Sequence, residues 1–274
     1  MIISAESVFR KIPSALSRRQ ALFVEGIRYS VDMIDVAYSR LRDTLVALAG
    51  MNQSNSENMA HVSAMLDAWS IVDSLNRLRR LVEYFPGSQG KNKSAAYRVF
   101  MSVTEKIPDL RNTVQHLETA IKDVTNDLNW AVWGSLSWGV VDAEKNQVST
   151  CLFLPGMPLG SRPMINPLDR KLWHMPIDSI TIERSGVSVS LSDAMRRVII
   201  LVRSLEESLA EAYKQIPEEH RDKTHAADVT VTLVIGVSAD RIVSEGTPDP
   251  EPALSSALED EPEAQALADV AAGK

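Results

Sequence analysis

The 274-residue chain has a single cysteine and no long apolar run. Because Cys151 stands alone, the chain can form neither an internal disulfide nor a cysteine metal cluster, and a reducing, cytoplasmic compartment is expected. The strongest candidate run for a membrane span, residues 198–202, holds five apolar residues. A bilayer requires roughly 18. We therefore expect no membrane segment.

Several catalytic signatures are also missing from the sequence. It contains no phosphate-binding P-loop, no dinucleotide-binding glycine pattern and no nucleophile elbow. His220 and His225 lie five residues apart near Asp222, but neither a cysteine nor a third histidine is close in sequence. Zinc sites need three or four such ligands. We therefore expect no bound metal and no cofactor.

The charge is unevenly distributed. From Asp240 onward nine acidic residues face two basic ones, and this excess accounts for the whole net charge of -7. Residues 1–239 are therefore neutral overall, which argues against a strongly basic nucleic-acid binder and against an acidic mimic of nucleic acid. The first twenty residues are basic. They are interpreted as an arm preceding the first helix, with a transit peptide as the other interpretation.

Apolar residues at helical spacing dominate the N-terminal half. Residues 20–49 carry a stripe with alternating steps of three and four residues, formed by Val24, Ile27, Val31, Ile34, Tyr38, Leu41, Leu45 and Leu48. Such a stripe predicts a helix packed lengthwise on partners. A second helix is predicted over 57–85, with one stripe from Val62 to Val72 and another from Ala68 to Phe85.

A third helical region is predicted over 95–128, with a kink or a fresh start at Pro108. Beyond the proline a further stripe is expected to be buried, formed by Leu110, Val114, Leu117, Ile121, Val124 and Leu128. The three regions together predict an antiparallel helical bundle. Trp130, Trp133 and Trp138 follow it and are expected in the core between two domains.

The pattern changes after Gly134. Two hairpins are predicted, one from 136–141 and 148–154 and another around Ser185-Gly186. A helix over 193–216 with Ser192 as its N-cap and a strand over 229–237 follow. The fold class is therefore α+β, with a helical bundle (1–133), a small α+β domain (134–239) and a disordered acidic tail (240–274).

The sequence Leu-Arg-Asn-Thr-Val-Gln-His-Leu at 110–117 stands out in the third region. It resembles the signature of HEPN domains, which are helical bundles that carry an arginine, a polar neighbour and a histidine on a late helix. Arg111, Asn112 and His116 match these three positions. The resemblance covers roughly residues 20–130. It implies a homodimer that joins two Arg–His sets, as in ribonucleases of toxin–antitoxin, stress or phage-defence systems.

The resemblance implies RNA cleavage without a metal. His116 would act as the general base on a ribose 2′-hydroxyl or as the acid for the leaving oxygen. Arg111 would stabilise the charge of the transition state, and Asn112 would position the phosphate or the imidazole. Arg77, Arg79 and Arg80 are candidates for an RNA-binding track.

A non-catalytic interpretation stays open beside the enzymatic one. The bundle would then be a self-association or partner-binding module, in which Arg111 pairs with Gln115 or Glu118 on a solvated helix face. The arginine cluster would be an ordinary surface. On either interpretation the C-terminal domain is a candidate for binding a protein partner.

Overall fold

Helices and a small antiparallel sheet make up the computed structural model, which describes residues 1–50, 58–86, 94–115, 121, 132–142, 147–155 and 179–221. These residues all belong to one unit, Met1–Ala227. The described helices are α1 (Arg18–Gly50), α2 (Asn58–Glu83), α3 (Ala95–Val103), α4 (Ile107–Gln115), α5 (Leu191–Lys214) and α6 (Glu218–Arg221). The described strands are β1 (Ser135–Asp142), β2 (Gln147–Phe153), β3 (Thr181–Arg184) and β4 (Val187–Ser190). The α+β prediction is confirmed.

The long helices α1 and α2 form a hairpin that holds most of the core. The predicted stripe of α1 is buried at six of its eight positions, and Tyr38 and Leu48 are partly buried against the same core. The two helices are antiparallel, since Gly26 lies against Leu81 while Arg40 reaches Asp67 at 3.3 Å. On α2 the stripe from Ala68 to Val82 is buried. Val62, expected in the other stripe, is 56% exposed.

The basic N-terminal segment contributes to this core. Ile3, Phe9 and Ile12 are almost fully buried. A short 3₁₀ turn, Val8–Arg10, places Arg10 within 3.1 Å of Asp32 on α1. Ser7 donates a hydrogen bond to Glu206 on α5. The first seventeen residues therefore tie α1 to α5 by both apolar and polar contacts.

The third helical region divides as Pro108 predicts. Helix α3 ends at Val103, and α4 begins at Ile107, so the proline lies in the first turn, where a missing N–H breaks no helical hydrogen bond. Ile107 and Leu110 are buried. The continuous buried stripe is wrong at Val114 and Ile121, which are 37% and 52% exposed. Its remaining three positions lie outside the described residues.

The four strands form one antiparallel sheet in the order β2-β1-β3-β4. Both predicted hairpins are present. The turn between β3 and β4 has positive φ at Ser185 (50°) and Gly186 (75°), which matches the twist of a two-residue hairpin. Trp138 on β1 is buried, and its Nε1 donates to the carbonyl of Leu45 at 3.0 Å. This bond attaches the sheet to α1, whereas Trp133 is 53% exposed and Trp130 lies outside the described residues.

The N-cap of α5 is Ser190, so the prediction of Ser192 is wrong. Ser190 Oγ accepts a hydrogen bond from the backbone N–H of Asp193. Ser192 lies in the first turn and has another role, because its Oγ accepts from the N–H of Ile180 at 2.8 Å and from Tyr38 Oη at 2.9 Å. It joins α5, α1 and Ile180, the residue before β3, at one buried point.

Parts of the sequence-based organisation lie outside the described residues. These are the predicted strand at 229–237 and the tail from 240, and the domain boundaries at 133 and 239 stay predictions. Within the described chain, no helix combines the length and apolar character that crossing a bilayer requires.

We expect Ser192→Ala to lower the free energy of unfolding by about 1–3 kcal/mol, because it leaves the buried N–H of Ile180 and the hydroxyl of Tyr38 without their acceptor. Urea denaturation followed by circular dichroism measures the change. The control is Ser208→Ala on α5, since the exposed Ser208 bonds only within its own helix. Equal stability of the two variants would show that the Ser192 junction is not important.

Candidate functional site

Arg111 lies on the surface between α4 and α2. Its Nε donates to Asp73 Oδ1 at 2.7 Å, and Arg77, one turn after Asp73 on α2, places Nη2 3.5 Å from Oδ2. The side chains of Arg111 and Asp73 are 34% and 42% exposed. One carboxylate is therefore flanked by two guanidinium groups, and the cluster of three carries one net positive charge.

Of the other two residues of the HEPN-like signature, one is among the described residues and one is not. Asn112 is exposed on α4 next to Arg111. His116 follows the last residue of α4 and lies outside the described residues. The structure thus brings Arg111 together with Asp73 and Arg77, while the geometry between Arg111 and His116 stays a prediction. The predicted pairing of Arg111 with Gln115 or Glu118 involves side chains outside the described residues and stays a prediction.

The three arginines proposed for RNA binding have different surroundings. Arg79 donates from Nη1 to the carbonyl of Met101 at 2.6 Å and to Thr104 Oγ1 at 2.7 Å. Thr104 is fully buried, and burial lowers the pKa of the Arg79 guanidinium. Arg79 therefore holds the end of α3 against α2. Arg77 and Arg80 are exposed on α2.

A second surface feature lies on α1, on the face opposite its buried stripe. Four large apolar side chains remain exposed there although the inner stripe of the helix is buried. They are Leu22, Tyr29, Met33 and Val36, at 62%, 45%, 43% and 59% exposure. At about 100° per residue the four fall within roughly 60° of one another. We call these four residues the outer seam of α1.

Charged residues continue the outer seam at both ends. Arg18 precedes Leu22 by one turn and Asp43 follows Val36 by two, and both are exposed. Their steps along the helix keep them on the same face as the apolar four. The seam therefore has Arg18 at one end, an apolar middle, and Asp43 at the other end. Arg40 shares the face one turn after Val36, but it is paired with Asp67 on α2.

Two buried polar residues were not identified from the sequence. Arg184, at the end of β3, is 2% exposed, and within the described part of the chain its Nε and Nη2 have no hydrogen-bond partner. Burial lowers its pKa. Tyr213 on α5 is 8% exposed, and its hydroxyl also has no hydrogen-bond partner among the described residues. Sequence pattern carries little signal for such positions, because the depth of one side chain depends on contacts between distant segments.

Comparison with known proteins adds no family or fold relative, since no protein-family model, curated protein or solved structure gives a significant match to this chain. In the described ranges no group of three or more His, Cys, Asp or Glu side chains is arranged to hold a metal ion.

We expect Arg79→Gln to destabilise the protein by about 1–3 kcal/mol, because the buried Thr104 hydroxyl and the Met101 carbonyl lose a charged donor. The neighbouring Arg80→Gln should change stability by less than about 0.5 kcal/mol, as exposed substitutions usually do. Urea denaturation of both variants is the measurement. A large loss for Arg80→Gln, or none for Arg79→Gln, would contradict the structural role of Arg79.

Proposed function

We propose that this protein is a self-association module that forms a homodimer through the outer seam of α1. The observation that carries the proposal is the exposure of Leu22, Tyr29, Met33 and Val36 on one face of a helix whose opposite face is buried. Contiguous apolar faces on soluble proteins mark interaction sites. Steps of seven, four and three residues between these positions are those of a seam between two helices.

The charges at the ends of the seam select an antiparallel pair. In an antiparallel pair with Tyr29 opposite Met33 of a second copy, each step forward on one helix is a step back on the other. Arg18 is then level with Thr44 of the second copy, beside Asp43. A parallel pair would instead oppose Arg18 to Arg18 and Asp43 to Asp43. Complementary charge fixes register, whereas opposed like charges are unfavourable.

The antiparallel arrangement also satisfies the symmetry of a homodimer. In a twofold interface, if residue i of one copy contacts residue j of the other, then j contacts i. Tyr29 with Met33 and Arg18 with Asp43 are such reciprocal pairs. The span from Arg18 to Asp43 is about 37 Å at a rise of 1.5 Å per residue, which is long enough for several turns of continuous contact.

A second candidate function is metal-independent RNA cleavage by a HEPN-like homodimer. The observation that favours it is the fixed position of Arg111, whose Nε is held by Asp73 at a partly exposed site beside the exposed Asn112. An arginine oriented by its surroundings loses less conformational freedom when it binds phosphate. In this proposal His116 transfers the proton, Arg111 stabilises the transition state and Asn112 positions the phosphate. A cytoplasmic location accords with either function and stays a prediction.

The two candidates use different surfaces. The outer seam lies on α1, whereas Arg111 contacts α2 from α4. Variants of one surface therefore leave the residues of the other unchanged. A seam variant that loses self-association tests the first proposal, and a variant of Arg111 or His116 tests the second.

Met33→Glu is expected to weaken the homodimer at least tenfold, because it places a charge at the centre of an apolar contact, where interface residues contribute most. Sedimentation equilibrium of the full chain measures the dissociation constant. Val62→Glu is the matched control, since Val62 is similarly exposed (56%) but lies on α2. A wild-type chain that is still monomeric at a concentration of about 100 µM would reject self-association.

Charge exchange tests the register. Arg18→Asp and Asp43→Arg should each weaken the dimer several-fold, and the double variant should recover most of the loss because the attractive pair is rebuilt with its signs reversed. The single variants should also reduce the dependence of dimerisation on salt. Additive losses in the double variant would exclude the antiparallel register even if the seam itself is the interface.

For the second candidate, the wild-type chain should cleave single-stranded RNA in the presence of a chelator, and His116→Ala or Arg111→Ala should lower the rate at least a hundredfold. Arg80→Ala is the control for a general loss of positive charge. DNA of the same sequence should remain intact because it lacks the attacking 2′-hydroxyl. Equal cleavage by wild type and His116→Ala, or cleavage by neither, would reject this function.

A further inference from the structure

Tyr29, in the middle of the outer seam, is contacted by an arginine of its own copy. The Cζ atom of Arg28 lies over the Tyr29 ring, 4.2 Å from its centroid. A guanidinium within about 6 Å of the centroid of an aromatic face is attracted to the ring. Tyr29 is nevertheless 45% exposed. The ring is therefore held on one side by Arg28, while a large part of its surface stays open to solvent.

This contact requires the Arg28 side chain to turn toward the seam. Neighbouring residues of a helix point about 100° apart, and at that spacing Arg28 projects about 110° from the centre of the seam. Glu25 and Asp32, three residues before it and four residues after it, project about 50° and 70° from the centre on the same side. Two carboxylates therefore lie between the start of the Arg28 side chain and the seam, where they attract the guanidinium toward Tyr29.

Glu25 and Asp32 hold the guanidinium by several hydrogen bonds. Arg28 Nε donates to Glu25 Oε2 at 3.1 Å and Nη2 donates to Oε1 of the same carboxylate, a paired arrangement that fixes the plane of the group. Nη1 donates to Asp32 Oδ2 at 3.4 Å. The Arg28 side chain is 7% exposed, so little water competes for these bonds. The guanidinium beside Tyr29 therefore has a defined position.

Asp32 is itself fixed by the N-terminal segment. Arg10 Nη2 lies 3.1 Å from Asp32 Oδ1 and 3.2 Å from Oδ2. The same nitrogen lies 3.3 Å from the carbonyl oxygen of Ile3, to which it also donates. A series of polar contacts therefore leads from the N-terminal segment through Asp32 and Arg28 to the ring of Tyr29.

The order of this ring matters for association. A side chain that already has one orientation in the single copy loses less conformational entropy when an interface forms. Aromatic side chains near the centre of an interface are among those that contribute most to affinity. In the antiparallel register Tyr29 is opposite Met33 of the second copy, so it is the aromatic group at the centre of the proposed contact. Whatever fixes the ring before association is therefore expected to raise the affinity.

We propose that Arg28 is a positioning residue for the homodimer, which fixes the ring of Tyr29 in the orientation that meets Met33 of the second copy. Glu25 and Asp32 hold its guanidinium in place. Arg28 acts through Tyr29 rather than as part of the contact surface, since the residue is 6% exposed. This inference rests on the proposed function, because it concerns the affinity of the same seam.

A double-mutant cycle between Arg28 and Tyr29 tests the proposal, with the dissociation constant of the full-chain dimer measured by sedimentation equilibrium. Arg28→Met removes the guanidinium but keeps an unbranched stem. It should raise the dissociation constant roughly five- to thirtyfold, because each twofold dimer loses two ordered rings. In the Tyr29→Leu background, which has no ring to hold, the same substitution should change the constant less than twofold. Equal effects in both backgrounds would mean that Arg28 only supports the fold, and would overturn the proposal.

Arg28→Lys provides a second variant that keeps the fold. It retains a positive charge between Glu25 and Asp32 but lacks the planar guanidinium that stacks on an aromatic ring, so it should still weaken the dimer several-fold. Tyr29→Phe retains the ring and should dimerise within about threefold of wild type. Arg42→Met is the matched control for the loss of one positive charge, because Arg42 is exposed on α1 about 150° from the centre of the seam. Wild-type affinity of Arg28→Lys would overturn the proposal.

The outcomes separate the role of Arg28 from the existence of the dimer. A wild-type chain that is monomeric at about 100 µM rejects the dimer and, with it, the role of Arg28. A wild-type dimer without coupling between Arg28 and Tyr29 rejects only the positioning role, and the outer seam remains the proposed interface. Coupling between the two residues, with the affinity of Arg42→Met within twofold of wild type, is the result expected if Arg28 positions the ring.

Discussion

Burial of the inner stripe of α1 is the constraint on which the described structure depends. The stripe packs on α2, and the surrounding segments attach to the same helix by specific polar contacts. Leu45 accepts a hydrogen bond from Trp138 of the sheet, Tyr38 donates to Ser192 at the start of α5, and Asp32 binds Arg10 of the N-terminal segment. Because all three contacts depend on the position of α1, a change in its packing alters the sheet, α5 and the N-terminus together.

Periodicity predicted the parts of the fold that repeat. The bounds of α1 and α2, the break at Pro108 and both hairpins follow from spacing and turn residues that are local in sequence. The sequence-based predictions were wrong where two segments that are distant in sequence meet. Ser192 resembles an N-cap, but the free N–H of Asp193 donates to the hydroxyl of Ser190, three residues before it, and the Ser192 hydroxyl accepts from Ile180 and Tyr38. Val114 fits the spacing of its stripe but lies beyond the point at which α4 is covered.

For the candidate sites, too, local features could be predicted from the sequence and contacts between distant segments could not. The sequence could single out Arg111 and Asn112 as side chains outside the apolar stripe, but it could not identify Asp73 as the partner of Arg111, because the two are 38 residues apart. It could not separate Arg79, whose guanidinium supports α3, from Arg80, which is exposed. The outer seam was not predicted either, because the longer apolar stripe on the opposite face dominates the periodicity of the same helix.

Among the buried polar groups of the described chain, the Tyr213 hydroxyl and the Arg184 Nε and Nη2 have no hydrogen-bond partner and therefore reduce stability. The outer seam does not reduce stability in this way, but it leaves apolar side chains in contact with water after folding. Elsewhere in the described chain, helix packing, strand register and turn residues agree with one another. In natural proteins, residues in unfavourable surroundings within an otherwise consistent fold are concentrated at functional sites. An apolar surface is relieved by a second surface, and a buried donor by an acceptor. Contact of the outer seam with a second copy would remove from water the apolar side chains that folding of one copy leaves exposed.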